Sequence, residues 1–98
     1  MTRIAVHGAS GRMGQAVLRE ALLRDDVAIA AALVGSQSSA LGTPLARLLA
    51  ADAPALACTA SLDAGSHASV VVDFSLAEAF DGALALARDR GIAFVSGT

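Results

Sequence analysis

Three glycines at a fixed spacing, Gly8, Gly11 and Gly14, stand between a short apolar run and an amphipathic segment. Glycine lets a chain turn tightly and leaves its amides open to a neighbour, and a helix N-terminus carries about half a positive charge. Together these features suit a pyrophosphate, which needs backbone amides aimed at it and no side chain in its way. Gly8 is expected to turn the chain out of the strand, Gly11 to let the backbone approach the phosphates, and Gly14 to let the helix lie close on the sheet. The pattern is G-x-x-G-x-x-G, not the commoner G-x-G-x-x-G, and by itself also describes an ordinary glycine-rich turn.

The flanking segments decide between those readings. Arg3 to His7 is apolar and ends at Gly8, and Met13, Val17, Ala21 and Arg24 recur at helical spacing across residues 11–24. Val27 to Val34 is an unbroken apolar octet, as expected of a parallel strand covered on both faces. Thr43 and Pro44 resemble an N-cap and a first helical position, opening a short helix to Leu49. Ala55 to Thr59 is expected to add a strand. Val70-Val71-Val72-Asp73-Phe74 is the most β-like stretch. Ser75 and Glu78 form a capping box for a helix running to Arg90, and Ile92 to Ser96 ends the pattern as a last strand. This alternation predicts an α/β fold with an open, mainly parallel Rossmann-type sheet and helices on both faces.

Composition narrows the function further. The chain has 98 residues, 55% of them hydrophobic and three aromatic, enough for one core of small aliphatic side chains. Its net charge of −2, without a basic stripe, argues against nucleic acid as a partner. Its N-terminal apolar run is too short for a signal peptide or membrane span, so a cytoplasmic location is expected. The single cysteine, Cys58, has no disulfide partner and reads as a buried thiol. No cysteine and histidine spacing suits a metal.

Gly-Ala-Ser-Gly-Arg-Met-Gly at positions 8–14 resembles the N-terminal loop of bacterial dihydrodipicolinate reductases. Val71-Val72-Asp73-Phe74-Ser75 is similar to that family's strand ending in Asp-Phe, and Val95-Ser96-Gly97-Thr98 resembles the start of its Gly-Thr-Thr-Gly turn. The resemblance implies an oxidoreductase of the diaminopimelate route to lysine. Such an enzyme uses NADPH or NADH to reduce a cyclic dicarboxylate, the product of dihydrodipicolinate synthase. It also implies a homotetramer held together largely by a second domain. By position, Gly8, Ala9, Ser10, Gly11, Arg12 and Met13 would hold the pyrophosphate. Phe74 and Ser75 would lie near ribose and nicotinamide, and Gly97 and Thr98 near the carboxamide.

On this reading residues 1–98 are an incomplete N-terminal dinucleotide-binding domain. Such a chain is expected to fold, to bind coenzyme weakly and to catalyse nothing. The family's proton donor belongs to a histidine- and lysine-containing segment of the second domain, and this chain has no lysine. His7 abuts the loop and is expected to be structural, and His67 a solvated surface residue.

Coenzyme choice turns on position 34. An acidic residue about twenty positions after the last loop glycine selects NADH by holding the ribose hydroxyls. Here that position is Val34, and no acidic residue occurs between Val27 and Ala51. Ser36, with Ser38 and Ser39, offers hydroxyls, and Arg12 a guanidinium, so the balance leans to NADPH. Rival readings are an atypical short-chain or semialdehyde dehydrogenase, and a non-catalytic nucleotide-sensing module. A Tyr-x-x-x-Lys pair would mark the first and a cysteine nucleophile the second. For the sensing module the fold alone gives no discrimination.

Overall fold

A computed structural model describes residues 2–62, 67–74 and 93–96. Strand β1 (Thr2–His7) leads through the glycine loop to helix α1 (Arg12–Leu22) and strand β2 (Val27–Leu33). A short helix, α2 (Leu45–Leu49), precedes strands β3 (Val70–Asp73) and β4 (Ala93–Ser96). The four strands form one parallel sheet in the order β2-β1-β3-β4. The expected α/β architecture is present. The Ser75–Glu78 capping box, its helix to Arg90 and Ile92 lie outside the described residues.

Both faces of the sheet are covered, as the small apolar strands require. Ile4, Val6, Ile29, Ala32 and Val34 pack with Leu18 and Ala21 of α1 and with Leu45 and Leu49 of α2. Ala5, Ala31, Leu33 and Val71 form a second cluster on the other face with Leu62. The register between β1 and β2 shifts after Ile4, where Ala30 is skipped, so Ile29 and Ala31 can face opposite clusters.

Three local expectations change. The face of α1 that meets the sheet is Gly14, Leu18 and Ala21, with Val17 half-buried, whereas Met13 is 57% exposed. Close approach at Gly14 rotates the contact stripe by one residue. Pro44 precedes α2 in an extended conformation, and no side chain caps the helix. Thr43 is committed elsewhere, its amide to the Ala40 carbonyl at 2.9 Å and its carbonyl to the Cys58 amide at 2.9 Å.

Residues 55–59 do not form a strand but make one parallel bridge, Leu33 with Thr59, and one antiparallel bridge, Pro44 with Ala57. Their backbone bonds split between two neighbours, Thr59 to β2 and Leu56 to Leu45, so no continuous ladder develops.

Candidate functional site at the carboxyl ends of the strands

Gly8 leaves β1 with φ 81°, a left-handed conformation that a glycine adopts without strain. The Leu33 carbonyl at the end of β2 accepts two hydrogen bonds, from the Gly8 amide at 2.9 Å and the Ala9 amide at 3.0 Å. Ala9 is fully buried in the core. These two residues therefore shape the loop, and their amides are already occupied. The Gly11 amide closes the turn onto the Gly8 carbonyl at 3.1 Å, and the Gln15 amide meets the Gly11 carbonyl at 2.9 Å.

The remaining amides of the loop and first helical turn are those of Ser10, Arg12, Met13 and Gly14. Among the described residues no backbone carbonyl takes them up, which is the ordinary state of a helix N-terminus that faces a ligand or water. Gly11 is the N-cap of α1 and supplies no side-chain cap, and no acidic residue occupies the first turn. The field of an eleven-residue helix thus reaches the loop uncompensated. Arg12 and Met13 are exposed and Ser10 is half-buried.

Gln15 is a residue that the sequence reading did not single out. Its side-chain amide donates to the Ser10 carbonyl at 2.8 Å and its side-chain oxygen accepts from Arg19 Nη2 at 3.3 Å. Arg19 Nε in turn donates to the Leu49 carbonyl at 3.4 Å, linking the loop to the end of α2. A glutamine on a helix surface gives no signal of such a role in sequence.

The neighbouring strand ends complete the site. Ser36 is exposed beyond the carboxyl end of β2, as is Ser39, and Ser38 Oγ accepts the Ala40 amide at 3.1 Å. Val34, at the position where an acidic residue would select NADH, is buried and gives its amide to the Thr59 carbonyl at 2.8 Å. Phe74 is half-buried against the core, and its amide donates to the His7 carbonyl at 2.9 Å. The fold thus brings Gly8 to Met13, Ser36 and Phe74 to one end of the sheet. Ser75, Gly97 and Thr98 lie outside the described residues.

At the carboxyl ends of β1 and β3, His7 Nδ1 lies 3.0 Å from Asp73 Oδ1, with the Asp73 side chain fully buried. His67 is exposed. Cys58 is 1% exposed and its thiol is pushed above its ordinary range by burial, which does not suit a nucleophile. A cavity of about 450 Å³ opens at the opposite end of the sheet, lined by Arg3, Leu22, Arg24, Val27, Ala30 and Leu56. Open parallel sheets bind ligands at the carboxyl ends of their strands, so this cavity belongs to the wrong end. Among the described residues no cluster of three His, Cys, Asp or Glu side chains suits a metal, and no helix is long and apolar enough to cross a membrane.

Residues 2–98 match the family model described as dihydrodipicolinate reductase, N-terminus. The chain belongs to the dihydrodipicolinate reductase family. Among its similar relatives is the 4-hydroxy-tetrahydrodipicolinate reductase of Stenotrophomonas maltophilia strain K279a, 41% identical over 97 residues. That alignment covers 98% of this chain and 37% of the relative. The proteins of that name from Xylella fastidiosa strain 9a5c and Ralstonia nicotianae are 41% and 39% identical, with 98% of this chain and 37% and 36% of theirs covered. As a dihydrodipicolinate reductase family member, the chain spans little more than a third of the length of these curated relatives.

Proposed function

We propose that the chain holds a reduced pyridine nucleotide across the carboxyl ends of β1, β2 and β3. It does so as the N-terminal coenzyme-binding domain of a 4-hydroxy-tetrahydrodipicolinate reductase of the diaminopimelate route to lysine. The observation that carries this reading is the run of amides at Ser10, Arg12, Met13 and Gly14 that no backbone carbonyl among the described residues takes up, on a loop whose Gly8, Ala9 and Gly11 amides are spent on its own shape. Family membership supplies the class of ligand.

Ser10, Gly11, Arg12 and Met13 hold the pyrophosphate, while Gly8 and Ala9 fix the loop on Leu33. Ser36 meets the adenosine ribose or its 2′-phosphate, with Arg12 as the nearby cation, and NADPH is favoured over NADH. Phe74, with Ser75, Gly97 and Thr98, borders the nicotinamide. The bound coenzyme supplies a hydride. Substrate contacts, the proton donor and the tetramer interface belong to a second domain, and the enzyme works in the cytoplasm. His7 is read as a structural residue, held at the end of β1 against the buried Asp73 carboxylate.

Titration of the protein with NADPH and NADH, followed by coenzyme fluorescence, tests the site. Saturable binding that weakens with salt and is lost in a Gly11→Asp variant is expected, since a carboxylate there would face the phosphates. Equal binding by that variant would overturn the placement. Mixing the chain with NADPH and the synthase product is expected to leave the reduced-coenzyme absorbance unchanged.

A further inference from the structure

Gln15 lies one turn inside α1, four positions after the N-cap Gly11, and its side chain reaches back over that turn. Its Nε2 donates to the Ser10 carbonyl at 2.8 Å, and its Oε1 accepts from Arg19 Nη2 at 3.3 Å. Ser10 precedes the N-cap, so its carbonyl stands outside the helical ladder, whose first bond runs from the Gln15 amide to the Gly11 carbonyl at 2.9 Å. In many helices the residues at these two positions are apolar and pack together, whereas here a hydrogen bond joins them. The Ser10–Gly11 peptide is thereby pinned at both ends, by Gln15 at its carbonyl and by the Gly8 carbonyl at the Gly11 amide, 3.1 Å away.

We infer that Gln15, braced by Arg19, is a positioning residue for coenzyme affinity, holding the Ser10 carbonyl on α1 so that the loop presents amides to the pyrophosphate. This rests on the coenzyme reading above. A peptide unit is a rigid plane whose carbonyl and amide point opposite ways, so it turns as a whole. The Gly11 side of this plane resists turning little, because glycine tolerates most backbone angles. Released by Gln15, the plane rotates more freely, the Gly11 amide is held on Gly8 less firmly, and a carbonyl oxygen loose beside the phosphates repels them.

Arg19 decides which end of the Gln15 amide meets the loop. A guanidinium only donates, so it pairs with the oxygen and leaves the nitrogen for the Ser10 carbonyl. The reversed amide would set oxygen against oxygen at Ser10 and nitrogen against the guanidinium. Arg19 is itself tied down, its Nε donating to the Leu49 carbonyl at 3.4 Å at the end of α2. Gln15 is half-buried and Arg19 exposed, so replacing them leaves the core residues Leu18 and Ala21 of α1 in place.

Gln15→Met keeps the length and helix propensity of the side chain and removes the donor. Folded by circular dichroism, it is expected to bind NADPH about five-fold more weakly, the scale of one lost hydrogen bond. Gln15→Lys keeps a donor of similar reach and is expected to recover most of that loss even at about 0.5 M salt, where its added charge is screened. Arg19→Met is expected to weaken binding by about two-fold, and the double variant to bind no more weakly than Gln15→Met, because Arg19 acts through Gln15. Binding by Gln15→Met equal to that of the wild type would overturn the inference, as would a loss that Gln15→Lys leaves unrecovered. Additive losses in the double variant would overturn the role given to Arg19. If Gln15→Met does not fold, NMR of the wild type with NADPH decides the matter. A Gln15 side-chain amide proton shifted from its solvent position and slow to exchange supports the contact, and a solvent-like amide refutes it. Absence of NADPH binding by the wild type would instead overturn the coenzyme reading and this inference with it.

Discussion

Gly14 of α1 faces the carbonyl of Gly8 with no room between them. A methyl group built at Gly14 would collide with that carbonyl oxygen and lie 2.9 Å from both the Gly8 carbonyl carbon and Ala9 Cα. All three obstacles are backbone, so no side chain can swing aside. Gly14→Val must push α1 off the sheet and open the turn that aims the Ser10 and Arg12 amides. Overpacking of this kind costs about 1–3 kcal/mol. Thermal unfolding followed by circular dichroism is expected to show a clearly lowered midpoint, and coenzyme titration a weakened affinity. An unchanged midpoint would place α1 elsewhere.

Ser36 sets the second expectation. It is exposed beyond β2, and the preceding Val34 gives no carboxylate to bind ribose hydroxyls. A Ser36→Glu variant puts a negative charge where a 2′-phosphate would lie. NADPH affinity is expected to fall about ten-fold while NADH affinity holds or rises, the rough scale of a like-charge contact at about 4 Å screened nearly as in bulk water. Parallel titrations at low salt measure the ratio, and an equal loss for both coenzymes would assign Ser36 to another part of the site.

Cys58 provides a pH dependence whose sign is fixed by burial. Desolvation raises the thiol's pKa in the folded chain above its ordinary value. Its contribution to stability is complete below the unfolded-state pKa and is lost as pH rises through that value towards the folded one. Urea midpoints are therefore expected to fall on the alkaline side in the wild type, and less steeply in Cys58→Ala, once the loss common to all pH values is subtracted. Thiol reagents are expected to modify Cys58 slowly until the chain unfolds, since only 1% of the residue is exposed. Rapid modification of the folded chain would contradict the packing.

Much of the fold is legible in the residues because its signals are local. The apolar run from Val27, the glycines at 8, 11 and 14, and the valines at 70–72 each announce their conformation within a few positions. The features that sequence reading misses depend on register between distant strands. Nothing near His7 announces Asp73, which lies 66 residues away and becomes its neighbour only when β3 pairs with β1. Likewise the Leu33 carbonyl occupies two loop amides, which divides Gly8 to Met13 into residues that build the cradle and residues left to use it. Residues 55–59 mislead for the opposite reason. Their local pattern suits a strand, but their bonds are shared between two neighbours.

The strand order β2-β1-β3-β4 also governs the sequence of events on the ribosome. β1 is the first strand to emerge, yet it occupies an interior place in the sheet. β1, α1 and β2 can associate early, and they leave the other edge of β1 unpaired until residue 70 has been made. At about 5–20 residues per second, that is several seconds during which the nascent chain presents a bare apolar edge of the kind chaperones and other nascent chains capture. The edge of β1 that meets β3 is thus completed well after the edge that meets β2. A nascent chain halted before β3 would carry the glycine loop without the aspartate that meets His7 at the end of β1.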